Sequence, residues 1–207
     1  FTTHYPDEER SAARPLKTAP CYDRMKALGA VFGSVYGWER PNWFMPSADY
    51  SLSVEELNQE DPAKVLMNKN HATALEDGRI VEKNSFRRSN YFEHVGNECK
   101  HVNDKVGLLD MSAFAKCIVK GPGAEEWLEY IFANKMPKAI GRISLVHMLS
   151  LNGGVRAEFT VYKTGPQSYY LVSAGAFETH DHDYLFKLAP KDGSVNIQRV
   201  TTQTGVL

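Results

Sequence analysis

Between Val155 and Tyr162 apolar and polar residues alternate without a break. Val155, Ala157, Phe159 and Val161 fall on one side; Arg156, Glu158, Thr160 and Tyr162 fall on the other. A period of two marks a strand with one apolar face. Asn152-Gly153-Gly154 before it and Thr164-Gly165-Pro166-Gln167 after it are turn sequences. Antiparallel hairpins are therefore expected, joining this strand to others over 142–149 and 168–173. A further strand is expected over 115–120, where Cys117 and Val119 share a side, and a last one over 196–200. Helical spacing separates these strands. Ala124, Trp127, Leu128 and Ile131 lie at i, i+3, i+4 and i+7, and Glu125 and Glu126 fall in the first turn, where the helix dipole favours acids. Residues 178–188 read as another helix. The sum is an α+β fold, an antiparallel sheet with flanking helices.

Upstream the pattern is less regular. Residues 1–15 are polar, with Pro6 and Pro15, and read as a loop or extended arm. Tyr22, Met25, Leu28 and Phe32 recur at helical spacing, so a helix is expected within 16–37, ended by Gly33 and Gly37. The segment GWERPNWF (37–44) reads as an anchored irregular loop, because Pro41 biases Arg40 away from helical dihedrals. Residues 46–84 are polar and irregular and read as a linker or insertion. A helix is expected over 94–106, with Val95, Cys99, Val102 and Val106 on one face. The organisation expected is 1–50, then a linker over 51–85, then a domain over 86–207.

Composition narrows the classes. The 207 residues carry 24 Lys+Arg against 25 Asp+Glu, a net charge of -1, which removes the basic footprint expected for nucleic-acid binding. No strictly apolar run exceeds four residues, so no transmembrane helix and no signal-peptide core is read. Cys21, Cys99 and Cys117 are few, odd in number and far apart, which argues against a disulfide scaffold and for a reducing compartment. Cys117, in an alternating apolar run, reads as a core thiol. The chain opens on Phe1 and closes on a stretch that resembles the approach to a strand, so it is expected to be part of a longer protein.

Few residues suggest chemistry unaided. Glu158 is a carboxylate on the polar face of a strand, a place from which it can bind a protonated nitrogen or move a proton. His180-Asp181-His182-Asp183 invites a metal reading, but residues at i and i+2 of a helix point to different faces and no further ligand cluster is visible, so no metal is assigned. These four are expected on a solvated helix surface. His147, among Leu145, Val146, Met148 and Leu149, is expected partly buried with its hydrogen bonds satisfied. Gly121-Pro122-Gly123 lacks the spacing of a dinucleotide loop, and no phosphate-binding loop motif is present.

Six segments carry a resemblance: GWERPNWF (37–44), FRRSNYFEHVGNE (86–98), LLDMSAFAK (108–116), VKGPGAEEWLEYIFANKMPK (119–138), NGGVRAEFTVY (152–162) and SYYLVSAGAFETHDHDYL (168–185). With them the chain resembles the dimethylglycine and sarcosine dehydrogenase family, and from Phe86 onward, more distantly, the glycine-cleavage T-protein. The resemblance implies the end of a flavin oxidase half followed by the first part of a folate-binding aminomethyltransferase half. It implies tetrahydrofolate as cofactor here, FAD in the full-length parent only, and an N-methyl amine as the small-molecule substrate. The T-protein segment Gly-Gly-x-x-Asp-Asp matches Gly153-Gly154-Val155-Arg156-Ala157-Glu158, so one acid is replaced by Ala157 and Glu158 is the remaining carboxylate. The resemblance places Leu171, Val172, Ser173 and Ala174 against the pterin, and the 110–114 turn, with Ser112 and Phe114, on the rim of the folate channel. It also implies a cytoplasmic location, or the mitochondrial matrix in a eukaryote. Sheet edges left open by an incomplete domain favour a homo-oligomer. Two rival readings share the resemblance: a non-catalytic regulatory module of the same fold, and a folate-independent N-methylamino acid oxidase.

Overall fold

A computed structural model describes Tyr5, Glu8, Glu9 and residues 12–45, 72–74, 80–83, 86–89 and 91–207. The linker expected over 51–85 lies almost wholly outside the described residues. The chain divides into two compact units, Phe1–Asp110 and Met111–Leu207.

In the first unit a short helix, α1 (Tyr22–Ala27), leads into β1 (Ala30–Val35) and β2 (Trp38–Phe44), which pair antiparallel. The helix expected within 16–37 is therefore cut to six residues. Gly29 cuts it: its φ is +89°, and a Cβ there would lie 2.4 Å from the carbonyl oxygen of Met45. The residues that follow, Ala30–Val35, take the extended form instead. The segment expected to be an irregular loop is strand β2. A register shift between Val31 and Phe32 leaves Asn42 as the extra residue beside Pro41, and this bulge lets a proline sit in a two-stranded ribbon. Arg14 fastens the ribbon. Its Nε and Nη2 donate to the two carboxylate oxygens of the buried Glu39, and Nη2 also reaches the Phe32 carbonyl.

β3 (Ala72–Ala74) and β4 (Ile80–Lys83) form a second small antiparallel pair. Helix α2 (Phe92–Asp104) follows. Val95 packs on the buried Trp43 and Val31, and the Trp43 ring stacks on Tyr91 and His94. The Phe44 amide donates to Glu98 of the same helix. The remaining positions of the expected apolar face, Cys99, Val102 and Val106, are exposed.

The second unit is built on β5 (Ala115–Lys120), β6 (Phe132–Ala133), β7 (Ile143–Leu149), β8 (Val155–Gly165), β9 (Ser168–Ser173) and β10 (Asn196–Arg199). They form one sheet in the order β10-β5-β9-β8-β7-β6, with antiparallel neighbours throughout. Helices α3 (Ala124–Ile131) and α4 (Glu178–Leu188) contribute to its core. That core takes alternate residues of the central strands, Cys117, Val119, Val146, Phe159, Val161 and Leu171, against Trp127, Leu128 and Leu185. Trp127 Nε1 donates to the Leu188 carbonyl and so ties the two helices together. Burial pushes the Cys117 thiol up to about 12, so it stays a neutral core group.

One polar group is built into the apolar side of β8. Lys163 is buried in line with Phe159 and Val161, and its ammonium donates to Glu125 at 2.7 Å. Tyr169 OH donates to the same carboxylate oxygen, and Lys138 reaches the other. The hydrogen bond from Lys163, followed by that from Tyr169, lowers the Glu125 carboxyl from its usual 4.5 to about 2. A depressed carboxyl stabilises the fold above its unfolded value and loses that contribution as pH falls from 4.5 through 2. Glu125→Gln is expected to lower the melting temperature by about 5 °C at pH 7. The gap from wild type should close as the melts are repeated down to pH 2; a pH-independent gap would contradict the network.

Candidate active site

The sheet face opposite the core is set by the same strand period. Because Phe159 and Val161 point into the core, Glu158 and Thr160 point to the other side. Register places Val172 of β9 directly opposite Thr160, and His147 of β7 directly opposite Glu158. Here lies a cavity of about 310 Å³. Arg156, Ala157, Glu158 and Thr160 of β8 line it, with Val172, Ser173 and Ala174 at the end of β9. Phe114, Phe177 and Asp181 complete it.

Local backbone demands shape that boundary. After β9 the chain makes a 3-10 turn over Gly175–Phe177 and enters α4. A Cβ at Gly175 would lie 1.8 Å from the Ala113 carbonyl oxygen, so only glycine lets this turn meet the segment that carries Phe114. Phe177 and Asp181 follow at i and i+4 spacing, which brings both side chains to one side of the helix start. The segment before β5 is pinned in turn: the Met111 amide donates to the Val206 carbonyl, and the Val206 amide to Ser112 Oγ.

The charged groups of the cavity have distinct surroundings. Glu158 Oε2 lies 3.0 Å from His147 Nε2, with both side chains well exposed. Asp181, whose side chain is 2% exposed, has Oδ1 3.0 Å from His180 Nδ1. The Arg156 guanidinium stacks on Tyr184, its central carbon 3.9 Å from the ring centroid. Ser173 Oγ is buried and, among the described residues, has no hydrogen-bond partner. Such a constellation supplies acceptors for protonated nitrogen and a cation for an anion.

Five of the residues expected at a site from the sequence, Glu158, Phe114, Val172, Ser173 and Ala174, meet at this cavity. Two do not line it. Leu171 is 1% exposed and points into the core, and Ser112 is buried, bonded to Val206 and, through its carbonyl, to Lys116 Nζ. Arg156, Thr160, Phe177 and Asp181 were not anticipated. The first two share strand parity with Glu158, and that signal suffices to find them. The surface expected for His180-Asp181-His182-Asp183 is corrected: Asp181 and His182 are each 1% exposed, because they share the buried side of α4 with Leu185. Burial, then the Arg199 charge, lowers the His182 pKa.

Residues 21–207 match the sequence profile of the GCVT N-terminal domain. The chain belongs to that family. It is 34% identical over 206 residues to mitochondrial dimethylglycine dehydrogenase of Mus musculus, covering 98% of this chain and 20% of that protein. The mitochondrial pyruvate dehydrogenase phosphatase regulatory subunit of the same species is 30% identical over 91% of this chain and 19% of its own length. The chain thus spans about one fifth of the curated relatives it matches. Among solved structures, the glycine cleavage system aminomethyltransferase T from Bartonella henselae shares the fold, with a TM-score of 0.54 at 20% identity, over 90% of this chain and 38% of that one. The α+β, antiparallel architecture of this GCVT-family chain agrees with that likeness.

Proposed function

We propose that the cavity beside β8 and β9 is the folate site in the one-carbon transfer half of a flavin-dependent N-methyl amino acid dehydrogenase. The observation that carries this reading is the position of Glu158: a strand carboxylate on the wall of a cavity, next to the end of β9. The 34% identity to dimethylglycine dehydrogenase supports the same assignment. The residues fit a flat heterocycle with polar edges. Phe114 and Phe177 bring two aromatic rings, Glu158 and Asp181 bring polar groups, and the volume falls at the lower end of the roughly 300–1,000 Å³ of small-molecule sites.

When bound, tetrahydrofolate supplies two nitrogens that together accept the one-carbon unit as a methylene. Glu158 would hold the cationic nitrogen of the incoming iminium by charge; of the two protons the folate nitrogens give up, one goes to the departing amine nitrogen and Glu158 takes the other. His147, 3.0 Å away, orients the Glu158 carboxylate. Val172 and Ala174 keep the cavity narrow. The flavin step belongs to the remainder of the full-length protein.

Calorimetric titration with 5-formyltetrahydrofolate tests the reading. One binding site is expected for the wild-type chain. Val172→Trp, which fills the cavity from a partly exposed position, should abolish binding without lowering the melting temperature. Equal binding by Val172→Trp would place folate elsewhere. No binding by the wild type would favour a role closer to that of the phosphatase regulatory subunit.

A further inference from the structure

Lysine is among the residues least often found fully buried, because taking an ammonium out of water is costly. Lys116 of β5 is 0% exposed. Register sets it directly opposite Val172, which lines the cavity, while its neighbours Cys117 and Val119 belong to the core cluster. Lys116 therefore leaves the strand on the cavity side of the sheet. Its Nζ donates to the Ser112 carbonyl at 2.6 Å. Its own backbone is held in place as well: the Lys116 amide donates to Thr201 Oγ1, and the Lys116 carbonyl accepts from the Thr201 hydroxyl and the Val200 amide.

The carbonyl that this ammonium holds belongs to the segment that carries Phe114 into the cavity wall. Ser112 lies two residues before Phe114, and its Oγ accepts from the Val206 amide. The Ala113 carbonyl between them meets Gly175, where a Cβ would lie 1.8 Å away. The contact from Lys116 is charge-assisted and comes from the sheet itself, so it ties the segment to the strand beside β9. Phe114 is 38% exposed, so its ring takes its place from the backbone that carries it rather than from core packing.

We propose that Lys116 is a positioning residue of the cavity: its buried ammonium holds the Ser112 carbonyl so that Phe114 presents its ring as a fixed wall for the flat heterocycle of folate. Fully buried, Lys116 does not touch the ligand itself. An apolar side chain of similar length would fill the same space without the desolvation cost, but would leave the wall less ordered before the ligand arrives. This rests on the reading of the cavity as a folate site, and it adds a residue that acts from behind the wall.

NMR of the 207-residue chain with labelled phenylalanine rings tests the assignment, with calorimetric titration of 5-formyltetrahydrofolate in parallel, at a temperature where every variant is folded. Lys116→Met should move the Phe114 ring resonances of the ligand-free protein and weaken folate binding by about tenfold, the scale of one ring contact. Lys116→Gln, whose amide can still donate but stops one bond short of the ammonium, should give a smaller loss, and it keeps the test open if Lys116→Met does not fold. Glu125→Gln is the control for lost stability alone. Its network lies on the apolar side of β8, and both readouts should stay at their wild-type values. Unmoved Phe114 resonances or unchanged folate affinity in the Lys116 variants would overturn the role of Lys116 and leave the folate site standing. Equal changes in Glu125→Gln would reduce Lys116 to general support of the fold and overturn the proposal as well. A wild type that binds no folate would overturn the folate reading, while the Phe114 resonances of the ligand-free variants would still decide whether Lys116 holds the wall.

Discussion

In the full-length protein, Glu158→Gln is expected to cut formation of methylenetetrahydrofolate by about 100-fold, the scale of lost general acid–base work. Amine oxidation should continue near its normal rate, and free formaldehyde should rise in place of the trapped one-carbon unit. The amide keeps the shape of the side chain and removes its charge. The Glu158–His147 pair is well exposed on both sides, and such pairs add little to stability, so the fold should survive. Normal coupling of oxidation to folate in the variant would make Glu158 an ordinary solvated strand residue. Collapse of both activities together would make it structural. Parallel assays of oxidation, formaldehyde and methylenetetrahydrofolate separate the three results.

The neighbouring residue on β8 should behave in the opposite way. Phe159 is 1% exposed, sits in the core cluster and packs its ring on Phe132 at 5.0 Å between centroids. Phe159→Ala removes that ring and leaves a cavity, at a cost of about 3–5 kcal/mol. A domain of this size has a total stability of about 5–15 kcal/mol. A fall in melting temperature of at least about 12 °C is therefore expected by calorimetry. Adjacent positions of one strand thus separate function from stability: one variant loses activity and keeps its stability, the other loses stability. A small shift for Phe159→Ala would mean that the core side of β8 has been assigned wrongly.

Much of the second unit was legible because its strands are half-buried and its turns are marked. The alternation in 155–162, flanked by Asn152-Gly153-Gly154 and Thr164-Gly165-Pro166, located β8 and both its hairpins. The limits of β9, α3 and α4 agree closely with the periodic pattern. The first unit was harder to read for local reasons. A one-residue bulge at Asn42 breaks the alternation of β2, so GWERPNWF looked irregular while forming a strand. The helical spacing of Tyr22, Met25, Leu28 and Phe32 ran across Gly29, where tertiary contact with Met45 dictates a turn. At the cavity, strand parity leads from Glu158 to Arg156 and Thr160. Asp181 was invisible to such reasoning, because a charged residue in a polar helical turn carries no local sign of burial. Only the inward packing of α4, whose buried side carries Asp181, His182 and Leu185, and the close approach at Gly175 bring it inside.

The most direct measurement of the central claim is a chemical-shift map of the isotope-labelled chain titrated with 5-formyltetrahydrofolate. The largest changes are expected at Glu158 and Thr160 of β8, at Ser173 and Ala174 after β9, and at Phe177. The reverse side of the sheet, including Phe159 and Leu171, should move little. Shifts confined to other surfaces of the chain, or a spectrum unchanged at saturating ligand, would contradict the assignment of this cavity as the folate site.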